Sequence, residues 1–187
     1  MKVNLEFITP NSLELIGRFA GICYGSNTER TVCIKRAIAC KDKGHLATLR
    51  FAHATFHISG ISRVCSHQFV RSKHLDFLQR SQRYCNEEQA SFVYPGTNQD
   101  TLISGAYQSA MARYQELIAA GVKKEDARFV LPEGTQTELI VTGNFQAWLD
   151  FIKLRADTHA QKEIRTVAKE INNQLAEHAP GLFNWMP

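Results

Sequence analysis

Two stretches of the chain combine side chains that could bind an anionic ligand. The first runs from Gln68 to Tyr84 and contains four cationic side chains among amides and hydroxyls. Arginine suits phosphate because its planar guanidinium stays charged and can bind two oxygens at once. The composition of this stretch is as typical of a solvated loop as of an anion-binding loop, and both interpretations stay open at this point.

The second stretch extends from Arg155 to Glu163. On a helix, Arg155 and His159 are four residues apart and share one face. That arrangement is typical both of a ligand-binding site and of an exposed helix face. The chain contains no G-x-G-x-x-G, G-x-x-x-x-G-K-[ST] or H-E-x-x-H motif. These absences disfavour a Rossmann dinucleotide site, a phosphate-binding P-loop and a zinc protease. Binding of phosphate must therefore use side chains.

Composition predicts one globular domain over residues 1–187, since 44% of residues are hydrophobic and 21% are charged. The net charge of +4 fits a solvated surface or a pocket for phosphorylated ligands, and without a dense Lys/Arg block we expect no nucleic-acid partner. No apolar run approaches the roughly 20 residues that span a bilayer, and no signal peptide is recognised, so we expect no membrane partner and a cytoplasmic location. Five cysteines without C-x-x-C predict reduced thiols and no metal site.

Hydrophobic periodicity predicts a mixed arrangement of helices and strands. Residues 52–60 alternate between polar and apolar side chains, which predicts a strand with one buried face that ends at Gly60. Ser12 is a candidate helix cap, and either Asn144 or Gly143 could cap the helix that begins near Phe145. Further strands are predicted over 3–8, 91–94 and 135–142, and helices over 12–24, 61–71, 99–119, 123–130 and from Phe145 to Leu175, with another ending near Gly44. Residues 74–84 are polar and give no clear signal for a helix or a strand.

Five blocks of the sequence carry a resemblance. They are GISRVCSHQ at 60–68, QRSQRY at 79–84, ARFVLP at 127–132, VTGN at 141–144 and LRADTHAQKEI at 154–164. In this order they resemble the flavin-dependent thymidylate synthase family, and the likeness extends from about Leu15 to Phe183. The R-A-D-[ST]-H-A-Q block is a specific motif of that family.

The resemblance implies an α+β fold in which a central antiparallel sheet is flanked by helices. It also implies a homotetramer whose active sites are shared between subunits. Members transfer a one-carbon unit from 5,10-methylenetetrahydrofolate to C5 of dUMP, and flavin adenine dinucleotide (FAD), reduced by NADPH, supplies the hydride. The implied ligands are thus a pyrimidine deoxynucleoside monophosphate, a folate and a flavin. Members lack a nucleophilic cysteine, which implies structural roles for Cys65 and Cys85.

Alignment with the family's motifs implies a role for individual residues. The residues implied to bind nucleotide are Gln68, Arg71, Gln79, Ser81, Arg83, Arg128 and Arg155. Two of these, Ser81 and Arg155, are the implied catalytic residues, and Arg155 would sit against the uracil carbonyl and stabilise negative charge there. The residues implied to bind cofactor are His45, Ser72, Lys73, Asn144, Asp150 and His159.

The departures from the family pattern fall on the flavin and folate side. The family's R-H-R, seven residues before a Ser, is Arg71-Ser72-Lys73 here, and its Glu-His pair is replaced by Arg50-Phe51. Ala47 stands where members usually carry Ser or Thr. Gln146 stands where members often carry Arg, and Asp150 stands where they often carry Asn. Lysine keeps the charge of arginine but loses its bidentate fork. We therefore expect flavin to be held more weakly than in typical members.

Three functions are compatible with this pattern. The first is a divergent thymidylate synthase that produces dTMP. The second is a pyrimidine nucleotide C5 hydroxymethylase, in which water rather than flavin hydride meets the transferred methylene, with dUMP, dCMP or UMP as the acceptor. The third is a non-catalytic nucleotide-binding relative.

Overall fold

The computed structural model of the chain describes residues 1–26 and 28–184. The strands are β1 (Lys2–Ile8), β2 (His53–Ser62), β3 (Leu75–Gln79) and β4 (Gln136–Asn144). The α-helices are α1 (Ser12–Ile22), α2 (Arg30–Asp42), α3 (Arg63–Phe69), α4 (Asp100–Ala119), α5 (Lys124–Ala127), α6 (Phe145–Arg155) and α7 (Lys162–His178), and 3-10 turns cover Leu46–Phe51 and Arg128–Val130. Within the described residues, no helix is long and apolar enough to cross a membrane.

The four strands form one antiparallel sheet in the order β1-β2-β4-β3. The Thr55 and Thr142 hydroxyls lie 2.8 Å apart on β2 and β4. Alternation along β2 is as predicted, because Ala54, Phe56 and Ile58 are fully buried while the residues between them are more exposed. The structure therefore confirms the mixed fold with a central antiparallel sheet.

The helices α6 and α7 bury the apolar faces that their sequences predict. Helix α7 buries Ile164, Val167, Ala168, Ile171 and Leu175, which recur at three- and four-residue spacing. Helix α6 packs against α7 and against the 3-10 turn at Leu46–Phe51. This packing fixes the positions of the polar residues at the two ends of α6.

Several local predictions are wrong, each for a physical reason. Ser12 is a buried first residue of α1 rather than its cap, because the chain enters the helix through Asn11 in the left-handed conformation (φ 49°). Gly60 does not end β2, which continues to Ser62, because glycine has no Cβ and can adopt the positive φ of 68° at this point of the strand. Strand β3 lies within residues 74–84, for which the sequence predicts no element, while residues 91–94 form no named strand and contribute one bridge, from Phe92 to Thr135.

The chain divides into two compact units, each assembled from separate stretches. Unit 1 contains residues 1–2, 58–71 and 78–139, and unit 2 contains residues 3–57, 72–77 and the described residues from 140 on. All four strands begin in one unit and end in the other. The prediction of a single domain over 1–187 stays a prediction.

Candidate functional site

The predicted nucleotide-binding residues Gln68 and Arg71 lie at the end of α3. This helix begins after Ser62, whose hydroxyl accepts a hydrogen bond from the backbone N–H of Cys65 at 3.0 Å. In the last turn, Gln68 Nε2 donates to the Val64 carbonyl at 3.4 Å. Arg71 follows the helix and is exposed. The cap therefore sets where these two side chains leave the helix.

Gln79, at the end of β3, is turned towards the protein. Its amide Nε2 donates to the hydroxyls of Ser66, at 2.8 Å, and Thr137, at 3.3 Å. Both donor hydrogens of the amide are thereby used within unit 1. The group that Gln79 can offer to a ligand is its carbonyl oxygen.

Two predicted nucleotide-binding arginines contact Glu125 of helix α5. Arg83 Nε lies 2.7 Å from Glu125 Oε2, and Arg128 Nε donates to the Glu125 backbone carbonyl at 3.1 Å. Ser81 Oγ accepts from the Arg83 backbone N–H at 3.2 Å, so the Ser81 hydroxyl hydrogen can still be donated. Both arginine contacts are made through Nε, so neither uses the terminal guanidinium nitrogens, whose N–H groups can donate to phosphate.

A pocket of about 290 Å³ in unit 1 contains two residues that the sequence did not single out. Its lining includes Arg63, His67, Gln82, Arg128 and Glu133. Arg63 Nη1 and Gln82 Nε2 are buried and have no hydrogen-bond partner among the described residues. Buried polar groups are nearly always paired, so two buried donors without partners point to an acceptor that comes from a ligand.

The charges around this pocket favour an anion. Burial lowers the pKa of the Arg63 guanidinium, and the nearby Glu133 carboxylate acts in the opposite direction. Arginine nevertheless stays protonated at neutral pH. His67 Nδ1 lies 3.4 Å from Glu133 Oε2. The Glu133 carboxylate therefore already contacts another residue of the pocket lining. Two arginines against one carboxylate leave the pocket positively charged. Arg63 and Gln82 stand inside the quoted motifs, but composition could not distinguish them from their neighbours.

In unit 2, α6 positions Asn144, Asp150 and Arg155. Asn144 Oδ1 caps the helix by accepting from the Ala147 backbone N–H at 2.9 Å, so Asn144 rather than Gly143 is the cap. Asp150 is exposed midway along the helix. Arg155 is the last residue of α6 and is half-buried.

Arg155 and His159 do not share a helix face, contrary to the prediction. Helix α6 ends at Arg155 and α7 begins at Lys162. Between them, Asp157 Oδ1 accepts from the backbone N–H and the ring Nδ1 of His159, both at 2.8 Å. These two hydrogen bonds hold the pKa of the Asp157 carboxyl below its usual value. The local turn of Asp157 competes with the helix, as short acidic side chains do.

The remaining cofactor-side residues are His45, Ser72 and Lys73. His45 precedes the 3-10 turn at Leu46–Phe51, and its carbonyl accepts from the Thr48 hydroxyl at 2.9 Å. Ser72 Oγ is buried, yet it finds no hydrogen-bond partner in the described part of the chain. Lys73 is exposed. An unpartnered hydroxyl, an imidazole and an ammonium group are donors that suit an anionic dinucleotide, so this set fits a flavin cofactor.

Three of the departures contact other residues in unit 2. Arg50 Nε donates to Gln146 Oε1 at 2.7 Å. The Phe51 ring meets the Phe19 ring edge to face, with centroids 5.4 Å apart. The residues that replace the family's Glu-His pair are thus held by defined contacts.

The candidate residues separate into two groups according to their unit. Unit 1 contains Gln68, Arg71, Gln79, Ser81, Arg83 and Arg128, together with the pocket. Unit 2 contains Arg155, His45, Ser72, Lys73, Asn144, Asp150 and His159. Among the described residues, no three His, Cys, Asp or Glu side chains are grouped so that they could hold a metal ion.

Comparison with known proteins identifies relatives along most of the chain. The flavin-dependent thymidylate synthase of Mycobacterium bovis (strain BCG / Pasteur 1173P2) is 38% identical over 162 residues, which cover 76% of this chain and 65% of the relative. The protein of the same name from Mycobacteroides abscessus is 39% identical over 160 residues, which cover 75% and 64%. The chain thus spans slightly less than two thirds of the length of these relatives. A family model described as thymidylate synthase complementing protein matches residues 4–181. The chain belongs to the thymidylate synthase complementing protein family.

Proposed function

We propose that this chain transfers a one-carbon unit from 5,10-methylenetetrahydrofolate to C5 of dUMP, with reduction by FAD and NADPH, and releases dTMP. The observation that carries the nucleotide half of the proposal is the pocket with two buried, unpartnered donors, Arg63 Nη1 and Gln82 Nε2, next to Arg128. A phosphate monoester supplies the acceptor oxygens and the negative charge that this pocket lacks. The mycobacterial relatives are named for the same activity. We expect the protein to act in the cytoplasm.

The chain's own residues have distinct tasks in the proposed reaction. Arg63, Arg83 and Arg128 bind the phosphate and thereby orient the nucleotide. Arg155 of a neighbouring chain faces the uracil carbonyl and stabilises the negative charge that develops as C5 becomes nucleophilic. Ser81 holds the Arg83 backbone through its hydroxyl oxygen and donates its hydrogen to the ligand.

The cofactor half of the proposal involves residues of unit 2. His45, Ser72, Lys73, Asn144, Asp150 and His159 would hold the flavin. When bound, the flavin supplies the hydride that converts the transferred methylene into a methyl group. The buried Ser72 hydroxyl supports this assignment, because it needs a partner that the described residues do not provide.

The product distinguishes the proposed reaction from its alternatives. We expect the protein to convert dUMP into thymidylate when it is supplied with 5,10-methylenetetrahydrofolate, FAD and NADPH, and mass spectrometry identifies the product. A product heavier by one oxygen and formed without NADPH would contradict methyl transfer and establish the hydroxymethylase. Product from dCMP or UMP alone would change only the acceptor. Binding of dUMP without any product from these acceptors would indicate a non-catalytic relative.

We further propose that the protein is a homotetramer whose active sites combine residues from more than one chain. The support comes from the assembly that the family resemblance implies and from the exposed position of Arg71, which a neighbouring chain can reach. Light scattering at micromolar concentration is expected to give four times the mass of the single chain. A monomer under these conditions would argue against shared sites.

Replacement of Arg83 by Ala is expected to weaken dUMP binding by about 1.5–3 kcal/mol, the range for hydrogen bonds to charged groups. The loss should be far smaller for deoxyuridine, because that nucleoside has no phosphate. Isothermal titration with both ligands measures the two losses. Arg113→Ala is the matched control, since Arg113 is also an exposed arginine in contact with a glutamate, Glu116, at 2.6 Å. Equal losses for nucleotide and nucleoside would show that Arg83 does not read phosphate.

A further inference from the structure

Ser66, on α3, connects two residues of unit 1 that are proposed to bind the nucleotide. Its hydroxyl donates to the Arg63 backbone carbonyl at 3.1 Å, and its Oγ accepts from the side-chain amide of Gln79 at 2.8 Å. Ser66 is fully buried, so water does not compete for these two hydrogen bonds. Thr137, on β4, is the second partner of the same amide, at 3.3 Å. Three elements, α3, β3 and β4, therefore meet at the Gln79 side chain.

The direction of the Gln79 amide follows from the number of hydrogens that Ser66 can donate. A serine hydroxyl has a single hydrogen, and here it goes to the Arg63 carbonyl. Ser66 Oγ can therefore only accept from Gln79, so the amide atom next to it must be Nε2 and not Oε1. An amide turned the other way would bring two acceptor oxygens together without a hydrogen between them. The network thus selects one of the two amide orientations.

The oxygen of the same amide is the atom left for a ligand. Gln79 is half-buried, and no residue in the described part of the chain donates a hydrogen bond to its Oε1. With both amide hydrogens committed to Ser66 and Thr137, the side chain can accept a hydrogen bond but cannot donate one. The nucleotide dUMP offers two neutral donors, the uracil N3–H and the 3′-hydroxyl of the deoxyribose. An acceptor held in one orientation suits either of these groups.

We propose that Ser66 and Thr137 are positioning residues that keep Gln79 a hydrogen-bond acceptor, and that Gln79 thereby selects a nucleotide with a donor at the uracil N3 or the sugar 3′ position. This inference rests on the proposed function, because it assumes that the chain binds dUMP. Ser66 acts through the amide that it holds. A site arranged for a donor rejects analogues that lack it, because the acceptor of the site is then left unpaired.

Two analogues of dUMP, each without one of the two donors, test this selection. N3-methyl-dUMP lacks the N3–H, and 2′,3′-dideoxyuridine monophosphate lacks the 3′-hydroxyl. Isothermal titration of the full chain gives its affinity for each analogue and for dUMP. The unmodified protein is expected to bind one of the analogues about tenfold more weakly than dUMP, the upper part of the range for a neutral hydrogen bond. The analogue that binds weakly identifies the donor that Gln79 accepts from.

Ser66→Ala frees the amide to turn its nitrogen towards the ligand, so the preference for dUMP over that analogue is expected to fall to less than about threefold. Thr137→Val nearly keeps the side-chain volume, removes the second acceptor and should lower the preference in the same direction. Ser109→Ala is the matched control, because the Ser109 hydroxyl also donates to a backbone carbonyl of its own helix, that of Gly105, at 3.0 Å. It should leave the preference unchanged.

Circular dichroism verifies that each variant is folded, and Thr137→Val alone decides the question if Ser66→Ala does not fold. A purely structural role for Ser66 would lower the affinity for all three ligands by the same factor. That result, or a preference that survives in both variants, would overturn the inference and leave the proposed function standing. So would an unmodified protein that binds dUMP and both analogues equally well. If the unmodified protein binds no dUMP, both the inference and the nucleotide half of the proposed function are wrong.

Discussion

Replacement of Arg155 by Lys is expected to lower kcat by about 100- to 1000-fold, the loss seen when one stabiliser of a developing negative charge is removed. Lysine keeps the charge but offers a single ammonium group instead of a planar fork, so it cannot reproduce both contacts with a carbonyl oxygen. The KM for dUMP should change by less than about threefold, because the phosphate contributes most of the ground-state binding. An interaction made mainly in the transition state affects kcat rather than KM.

Steady-state kinetics with dUMP as the varied substrate measures both constants. Arg30→Lys is the control, because Arg30 is an exposed arginine that pairs with Glu14 at 3.5 Å and has no proposed role. It should leave both constants unchanged. A rise in KM with kcat intact would mean that Arg155 contributes only to uniform binding of the nucleotide. Arg155 would then be a nucleotide-binding residue without a catalytic role.

Replacement of Trp148 by Ala is expected to lower the free energy of unfolding by about 3–5 kcal/mol, the range for removal of a large buried aromatic side chain. Trp148 is fully buried on α6 and packs against Phe56, with ring centroids 5.1 Å apart, and against Phe151. Its indole Nε1 also donates to the Ala54 carbonyl at 3.1 Å. Alanine would leave a cavity and remove the hydrogen bond.

Urea denaturation at a fixed protein concentration measures the change, since assembly would make stability depend on concentration. Trp148→Phe keeps an aromatic ring and should cost less than the alanine variant. Lys153→Ala changes an exposed residue of the same helix and should stay within about 0.5 kcal/mol. A loss below about 1 kcal/mol for Trp148→Ala would show that α6 is not held to the sheet by this side chain.

Most elements of the fold could be predicted because their signals are local. The two-residue alternation over 52–60 predicts β2, and the three- and four-residue spacing from Ile164 to Leu175 predicts α7. Strand β3 was missed, since its five residues place only Leu75 in the buried class and so give a weak apolar signal. The break after Arg155 was also missed, because apolar spacing continues across it while the Asp157 side chain bonds to the backbone and ring of His159.

The sequence by itself determined the family, through five ordered motifs, and the residue types able to bind phosphate. Only the tertiary structure decided which of those residues lack partners and which contact one another. Arg63 and Gln82 read as ordinary members of their motifs until burial removes them from water and leaves one donor of each unpaired among the described residues. Arg50 and Gln146 read as unrelated departures until folding places their side chains 2.7 Å apart. The physical reason is that periodicity and motif spacing are properties of neighbouring residues, whereas desolvation and pairing depend on contacts between residues far apart in the chain.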